Sequence, residues 1–523
     1  MSVPVQTARP GRRERLVVIG NGMAGSRLAE EVLARDTAGR WHVTVVGDEP
    51  VEAYNRIQLS AVLAGHHDVA DLTLAPVGAL AEAGADVLTG LLVSRVHRST
   101  RTVHLSDGST LAYDRLVLAT GSAPVLPPIP GLLRVDPERP EGLPGLHPQA
   151  FAFRTLADCE GLLDAASTAR RAVVVGGGLL GLEAARGLTE RGVAVEVVQM
   201  AGWLMNGQLD PDAGEVLRRT LARRGITTYL GTRATQLVSD RRTGRLRGVR
   251  LADGHVLDCD LIVFAAGVRA NQRLAREARL ATARGVLVDE TLTSPDDPRV
   301  HAVGDCAEVV RPDGTHVVSG LVAPAWEQAD TLARTLTAPD GSAVPARWRA
   351  GRVVTRLKAS GVDLAAMGEV QAAPADSDGD TEVLVFSDWA RGVYTKIVLR
   401  GGRVAGGILL GDTSSVGALT TAFDRGSPVP PDRRFLLFTP RYASAAAAPV
   451  AELADDATVC HCNQVPAGRI RDAVRCGAHD VAAVAACTRA STGCGSCAGD
   501  VRALIASLLD DVEAAPDTER SPA

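Results

Sequence analysis

The chain has 523 residues, 46% hydrophobic and 22% charged, with a formal net charge of −5. That balance describes an ordinary globular chain of about three or four domains, able to bury sizeable cores. With no dense basic run and no apolar stretch near the roughly 20 residues of a membrane span, neither nucleic acid nor membrane is an expected partner.

Residues 1–14 are polar, contain arginine and proline, and are expected to be disordered. Arg12-Arg13 ahead of an apolar run can signal twin-arginine export, but Leu16–Ile19 leads straight into Gly20-Asn21-Gly22 and no cleavage site follows. The run therefore reads as a buried strand, followed by Gly20, Gly22 and Gly25, a helix to about Leu33, and a strand at Val43–Val46. This is a β-α-β unit of nucleotide-binding type. Leu116–Ala119 is a further strand, ending in Thr120-Gly121, and Pro124, Pro127, Pro128 and Pro130 mark an exit from the domain. Residues 131–147 form a Pro/Gly-rich loop. A second β-α-β unit follows, with strands at Ala172–Val175 and Val193–Val198 around Gly176, Gly178 and Gly181.

Leu261–Gly267 and Val300–Asp305 read as two more strands ending in glycine. Residues 345–440 change character, with short strands at Thr381–Phe386, Thr395–Leu399 and Val404–Leu410. An alanine-rich stretch, Ala443–Pro449, should link to a cysteine-bearing module at 455–509, and 510–523 should be a disordered tail.

Each Gly-x-Gly-x-x-Gly run has the chemistry of a dinucleotide site. Its glycines permit a tight turn, backbone approach to a pyrophosphate and close helix–strand packing, while the helix N-terminus favours the phosphate charge. An acid should follow the second strand to bind a ribose hydroxyl; Asp48 and Glu49 are available in the first unit, with Glu49 preferred. The second unit ends in Val197-Val198-Gln199-Met200, with neither an acid nor an arginine cluster, so NADH is expected ahead of NADPH. Glu183 follows the second fingerprint closely. Thr120-Gly121 and Gly304-Asp305 sit at strand ends, where the aspartate can bond a ribityl hydroxyl.

Nine cysteines do not form a disulfide framework here, because four are grouped as ligands, so a cytoplasmic location is expected. Cys460-His461-Cys462 and Cys494-Gly495-Ser496-Cys497 supply four thiolates, the number a [2Fe-2S] cluster needs. Four cysteines also bind zinc; the C-x-C opening and the long spacing favour iron–sulfur. Cys476 and Cys487 are left as non-ligands, and His461 as a neighbour of the ligands.

Two Rossmann units with Gly304-Asp305 resemble the two-dinucleotide-binding flavoproteins, which hold FAD and NAD(P)H. That resemblance implies an FAD domain at 15–150 and 256–340 with an NAD(P)H domain at 151–255 inserted, then an α+β domain at 345–440. Closer motifs are Tyr54-Asn55-Arg56-Ile57-Gln58-Leu59-Ser60, Gly177–Ala185, Leu204-Met205 with Gln208-Leu209-Asp210, and Leu321-Val322-Ala323-Pro324. They are similar to the flavin-bearing half of the assimilatory NADH nitrite reductase large subunit and to electron-transfer subunits of assimilatory nitrate reductase.

The resemblance implies Arg56 near FAD and Pro324–Gln328 near the isoalloxazine, with Trp326 either stacking there or packing. The cysteine module resembles the bacterioferritin-associated ferredoxin type, implying Cys460, Cys462, Cys494 and Cys497 as ligands. No cysteine precedes Cys159, so the redox cysteine pair of disulfide reductases is not expected, and Cys159, Cys259 and Cys306 read as buried thiols.

The fold expected is α/β: two Rossmann-like FAD and NAD domains, an α+β domain and a small helical [2Fe-2S] module. The function expected is an oxidoreductase that passes electrons from NADH through FAD and the cluster to a protein acceptor. A nitrate reductase catalytic subunit is the first candidate for that acceptor and a nitrite reductase the next. A ferredoxin- or rubredoxin-type reductase and a zinc-bearing assembly subunit are the alternatives. The sequence ends before any sirohaem domain, which favours electron transfer over nitrite reduction within this chain.

Overall fold

The computed structural model describes residues 13–76, 78–134, 145–339, 345–352, 354–357, 361–438, 453–460, 463, 465–493, 495 and 497–513, with side chains to 509. The apolar run at 14–19 is the centre of a six-stranded sheet. Its order is Thr293–Ser294, Asp297–Ala302, Arg115–Leu118, Glu14–Ile19, Trp41–Val46 and Asp86–Leu88, parallel except for the first strand. Leu16, Val17 and Val18 are buried because both faces are covered, as in parallel sheets generally. Helix Met23–Arg35 packs with helix Val322–Thr337 through Leu28, Val32, Ala329 and Leu332.

The second sheet is wholly parallel: Ala150–Ala152, Leu261–Phe264, Arg171–Val175, Ala194–Gln199 and Ile226–Leu230. Here one expectation is corrected. Leu261–Phe264 does not return to the first domain at 256; it lies between the strands at 150–152 and 171–175. A buried apolar run ending in glycine carries no mark of which parallel sheet it will join. Trp348 is likewise drawn from the expected third domain into the core of the first sheet, where its backbone N–H donates to the carbonyl of Glu290 at 2.7 Å.

A five-stranded antiparallel sheet follows: Val354–Leu357, Leu364–Gly368, Arg403–Leu410, Val393–Arg400 and Thr381–Asp388. Helix Val416–Arg425 covers it through Leu419 and Phe423, which pack with Met367 and Ile397. The sheet is tied to the second unit by a buried ion pair. Lys396 Nζ donates to Asp210 Oδ2 at 2.8 Å and to the Val370 carbonyl at 2.9 Å, and Tyr394 OH donates to the same carboxylate oxygen at 2.7 Å. Asp210 Oδ1 meanwhile caps helix Pro211–Ala222.

The cysteine module pairs Thr458–Cys460 with Val465–Pro466 and packs helices Ala467–Arg475, Val481–Thr488 and Ala498–Glu513 around Ile470, Val484, Val501 and Leu504. The expected tail starts too early, because Leu508 and Leu509 lean on that core and the helix continues to Glu513. At the other end Glu14 is already in the first strand. The expected disorder at 1–12 and 514–523, and the linker at 443–449, lie outside the described residues.

Removing one partner of a buried ion pair strands the other. Lys396→Ala should therefore lower stability by about 3 kcal/mol, read from the urea midpoint of the full chain. His301 is buried in the first sheet, and burial pushes its imidazole down to about 4. The folded state thus favours neutral histidine. Its contribution is complete above pH ~6.5 and lost as pH falls toward ~4. His301→Gln should flatten the decline in stability across that window in pH-dependent denaturation.

Candidate functional site

Both glycine turns are built alike. Gly20 has φ +115°, and a Cβ there would sit 2.2 Å from the Ala119 carbonyl oxygen; one on Gly25 would sit 1.9 Å from the Gly20 oxygen. Gly176 (φ +120°) and Gly181 repeat this, 2.2 Å from the Ala265 oxygen and 1.9 Å from the Gly176 oxygen. Backbone leaves no room at these four positions. At Gly22 and Gly178, by contrast, a Cβ would meet nothing within 4 Å. The protein itself does not demand glycine there; an incoming group that needs bare backbone does. The helices that start at Met23 and Leu179 have no acid in the first turn, so their N–H groups face open space suited to an anion.

The first turn opens into a cavity of about 1170 Å³, lined by Gly20, Gly22, Glu49, Arg56, Thr120, Gly121, Gly304 and Asp305. Leu179, Leu180 and the buried Glu183 reach it from the second unit, Arg356 from the antiparallel sheet and Arg352 from just ahead of it, and Thr458 from the cysteine module. The remaining expected cofactor residues Gly25, Gly176, Gly178 and Gly181 are not on its wall. Gly25 packs behind the first turn, and the other three form the second turn. There the Gly177 N–H donates to Gln199 Oε1 at 2.9 Å.

Two carboxylates in the cavity are already paired with guanidinium groups. Glu49, expected to accept from a ribose, takes the Arg56 guanidinium on Oε1 and the Tyr54 hydroxyl on Oε2. Arg56 also donates to the Arg154 carbonyl at 3.0 Å. Asp305 Oδ2 accepts from Arg154 Nη2 at 2.7 Å and from Ser122 Oγ at 2.8 Å. Burial and the neighbouring Glu49 hold the Tyr54 hydroxyl well above its ordinary range, so it stays a donor. Arg154 and Ser122 were not legible in the sequence, since neither belongs to a motif and Arg154 meets Asp305 across 151 positions.

The cavity fits a dinucleotide. Both amide atoms of Asn21, in the glycine turn itself, and Arg154 Nε are buried without a partner among the described residues. Unpaired polar atoms of this kind are costly unless a ligand satisfies them. Trp326 takes the packing role: its N–H donates to the Met23 carbonyl at 2.9 Å, and the cavity wall passes it by.

Cys159, Cys259 and Cys306 are buried thiols, with Cys306 Sγ 3.2 Å from the Leu118 carbonyl. Cys460 and Cys497 are buried side by side. Cys460 first, and then burial, pushes the Cys497 thiol up; Ser491 Oγ lies 3.3 Å from it. The charge of bound iron is what would hold such a pair as thiolates. Cys462 and Cys494 lie outside the described residues, and Cys476 and Cys487 are exposed.

Residues 14–329 match the family model of pyridine nucleotide-disulphide oxidoreductases. The chain belongs to that family. Residues 354–427 match the rubredoxin NAD+ reductase C-terminal domain, and 458–507 the BFD-like [2Fe-2S] binding domain. It is thus a flavoprotein oxidoreductase using FAD and NAD(P)H, and its cysteine module is of the [2Fe-2S] type, against the zinc alternative.

Nitrite reductase [NAD(P)H] of Bacillus subtilis is 35% identical over 93% of this chain and 56% of its own length. The assimilatory nitrate reductase electron transfer subunit of the same organism is 33% identical over 93% of this chain and 58% of its own length. The chain therefore spans little more than half of these relatives. Putidaredoxin reductase, in a covalent complex with putidaredoxin, superposes with a TM-score of 0.68 at 26% identity, over 80% of this chain and 94% of its own. No helix among the described residues is long and apolar enough to cross a membrane.

The two classes of glycine separate in a simple test. Gly20→Ala should lower the thermal midpoint even of flavin-free protein, by an overpacking cost of about 1–3 kcal/mol. Gly22→Ala should leave that midpoint unchanged yet reduce the FAD retained per chain after gel filtration, read from visible absorbance.

Proposed function

We propose that this chain draws hydride from NADH in the cavity and delivers electrons singly, through its cysteine module, to a separate assimilatory nitrate reductase. One observation carries the reading: a single cavity is walled by the first glycine turn, by the start of the second fingerprint helix, and by Thr458, two residues from Cys460. The start of the helix that follows the donor turn and the edge of the cysteine module thus both reach the chamber proposed for the relay.

FAD in such a site accepts hydride as an electron pair, and a [2Fe-2S] cluster carries single electrons. The protein's part is placement and electrostatics. Gly22 admits the pyrophosphate of FAD on a turn that Gly20 and Gly25 keep tight, and Thr120, Gly121, Gly304 and Asp305 face the rest of it. Arg154 holds the Asp305 carboxylate in place. Arg56, steadied by Glu49, places a cation on the same wall. Gly176, Gly178 and Gly181 seat the nicotinamide nucleotide, and Glu183 projects from their helix toward the flavin. Cys460, Cys462, Cys494 and Cys497 hold the cluster.

The nitrate reductase assignment follows the electron-transfer-subunit relative, which shares a similar length of matched chain. A nitrite reductase catalytic partner is the second reading, carried by the similarity to nitrite reductase. We place the protein in the cytoplasm, where the free thiols of its described cysteines would stay reduced.

Anaerobic titration of the FAD- and cluster-loaded protein with NADH should bleach the flavin and produce a rhombic [2Fe-2S] EPR signal. Bleaching with a silent cluster would sink the proposed route. With the catalytic nitrate reductase polypeptide added, NADH oxidation should yield nitrite. Activity only with a sirohaem polypeptide would select the second reading.

A further inference from the structure

Asn55 is 6% exposed and uses both ends of its amide. Its Oδ1 accepts the Ile57 N–H at 3.2 Å, capping the helical turn Arg56–Gln58. Its Nδ2 donates to the carbonyls of Thr492 and Gly493, both at 2.8 Å. Arg56 and Ile57 are cavity wall, and Thr492-Gly493 runs directly into Cys494. One amide therefore joins the cavity wall to the cysteine loop.

A second anchor lies nearby. Arg489 reaches Glu31 Oε1 through Nη1 and Glu30 Oε2 through Nη2, each at 2.9 Å. Both acids are on helix Met23–Arg35, which starts at the first glycine turn. Between the two anchors the loop is held in an uncommon shape: Arg489 (φ +64°) and Ser491 (φ +69°) are left-handed without being glycine. Asn463 Nδ2 pins the Arg489 carbonyl at 2.7 Å.

We propose that Asn55 is a positioning residue for electron exit: it holds segment 489–493 on the cavity wall and so fixes the separation between flavin and cluster. This rests on the electron route proposed above. One NADH gives NAD+, a proton and two electrons, and each electron crossing this contact reduces one cluster by one electron.

Asn55→Asp isolates the contact. An aspartate keeps the oxygen that caps Ile57, so the wall at Arg56 and Ile57 stays formed. It replaces the donor with an oxygen facing two carbonyl oxygens, so this anchor of the loop is lost while the Arg489 and Asn463 contacts stay. Arg489→Gly suits the left-handed backbone and removes only the ion pairs.

The test uses the full chain loaded with FAD and cluster, mixed anaerobically with NADH in a stopped-flow instrument, together with hydrogen–deuterium exchange of 489–493. Asn55→Asp should bleach its flavin within about twofold of the wild-type rate but reduce its cluster about tenfold or more slowly, the population shift expected from losing two hydrogen bonds. Exchange at 489–493 should rise. Arg489→Gly should change both readouts in the same direction. Dithionite should give every variant the wild-type EPR amplitude, establishing that the cluster is present.

Unchanged exchange in Asn55→Asp would overturn the proposal, as would faster exchange with an unchanged rate of cluster reduction. A wild-type cluster that NADH never reduces would instead remove the underlying route, whatever the exchange shows.

Discussion

The architecture depends on contact between backbone atoms where no side chain fits. Gly20 lies against Ala119, and Gly176 against Ala265, at distances a single methyl group would break. Each contact brings a helix start down onto the ends of two parallel strands. Those strand ends are the crevice in which open α/β sheets bind ligands. Because the constraint occurs twice, the chain has two such crevices, and the helix leaving the second turn extends into the cavity of the first. Hydride transfer needs its partners in contact, and in the proposed route this packing is what brings the two sites together.

Electrostatics then adapts the cavity to an anionic occupant. Glu49 and Asp305 would repel a pyrophosphate if left alone, but each is matched by a guanidinium, from Arg56 and Arg154. The two pairs are themselves connected, because Arg56 donates to the backbone carbonyl of Arg154. The planar fork of arginine suits this work: one guanidinium can serve a carboxylate and a carbonyl together. The carboxylates so remain available to hydroxyl groups without making the cavity strongly negative.

Much of this was readable from residues alone. Both fingerprints, the Thr120-Gly121 and Gly304-Asp305 strand ends and the cysteine pattern are local signals, in which neighbouring residues share one piece of chemistry. Their spacing is set by a turn or a strand, so it survives in the sequence. What stayed hidden is non-local. Arg154 lies in no motif and acquires meaning only when the chain brings it to Asp305. Asn55 was visible inside a motif, but its partner is more than four hundred positions away. Leu261–Phe264 was correctly a strand and wrongly placed, since hydrophobicity states burial and not neighbours. Its pairing was decided by parallel register with Arg171–Val175 and Ala150–Ala152.

The burial of Lys396 reaches beyond stability. The chain has two lysines, and the other, Lys358, lies outside the described residues. Lys396 is 2% exposed and committed to Asp210. Among the described residues the solvent therefore meets no ε-amine. Apart from exposed histidines such as His42, His66 and His67, positive charge on that surface is guanidinium charge, which neither acetylation nor any cellular pH can remove. A partner that docks there meets an arginine pattern fixed when the chain is made.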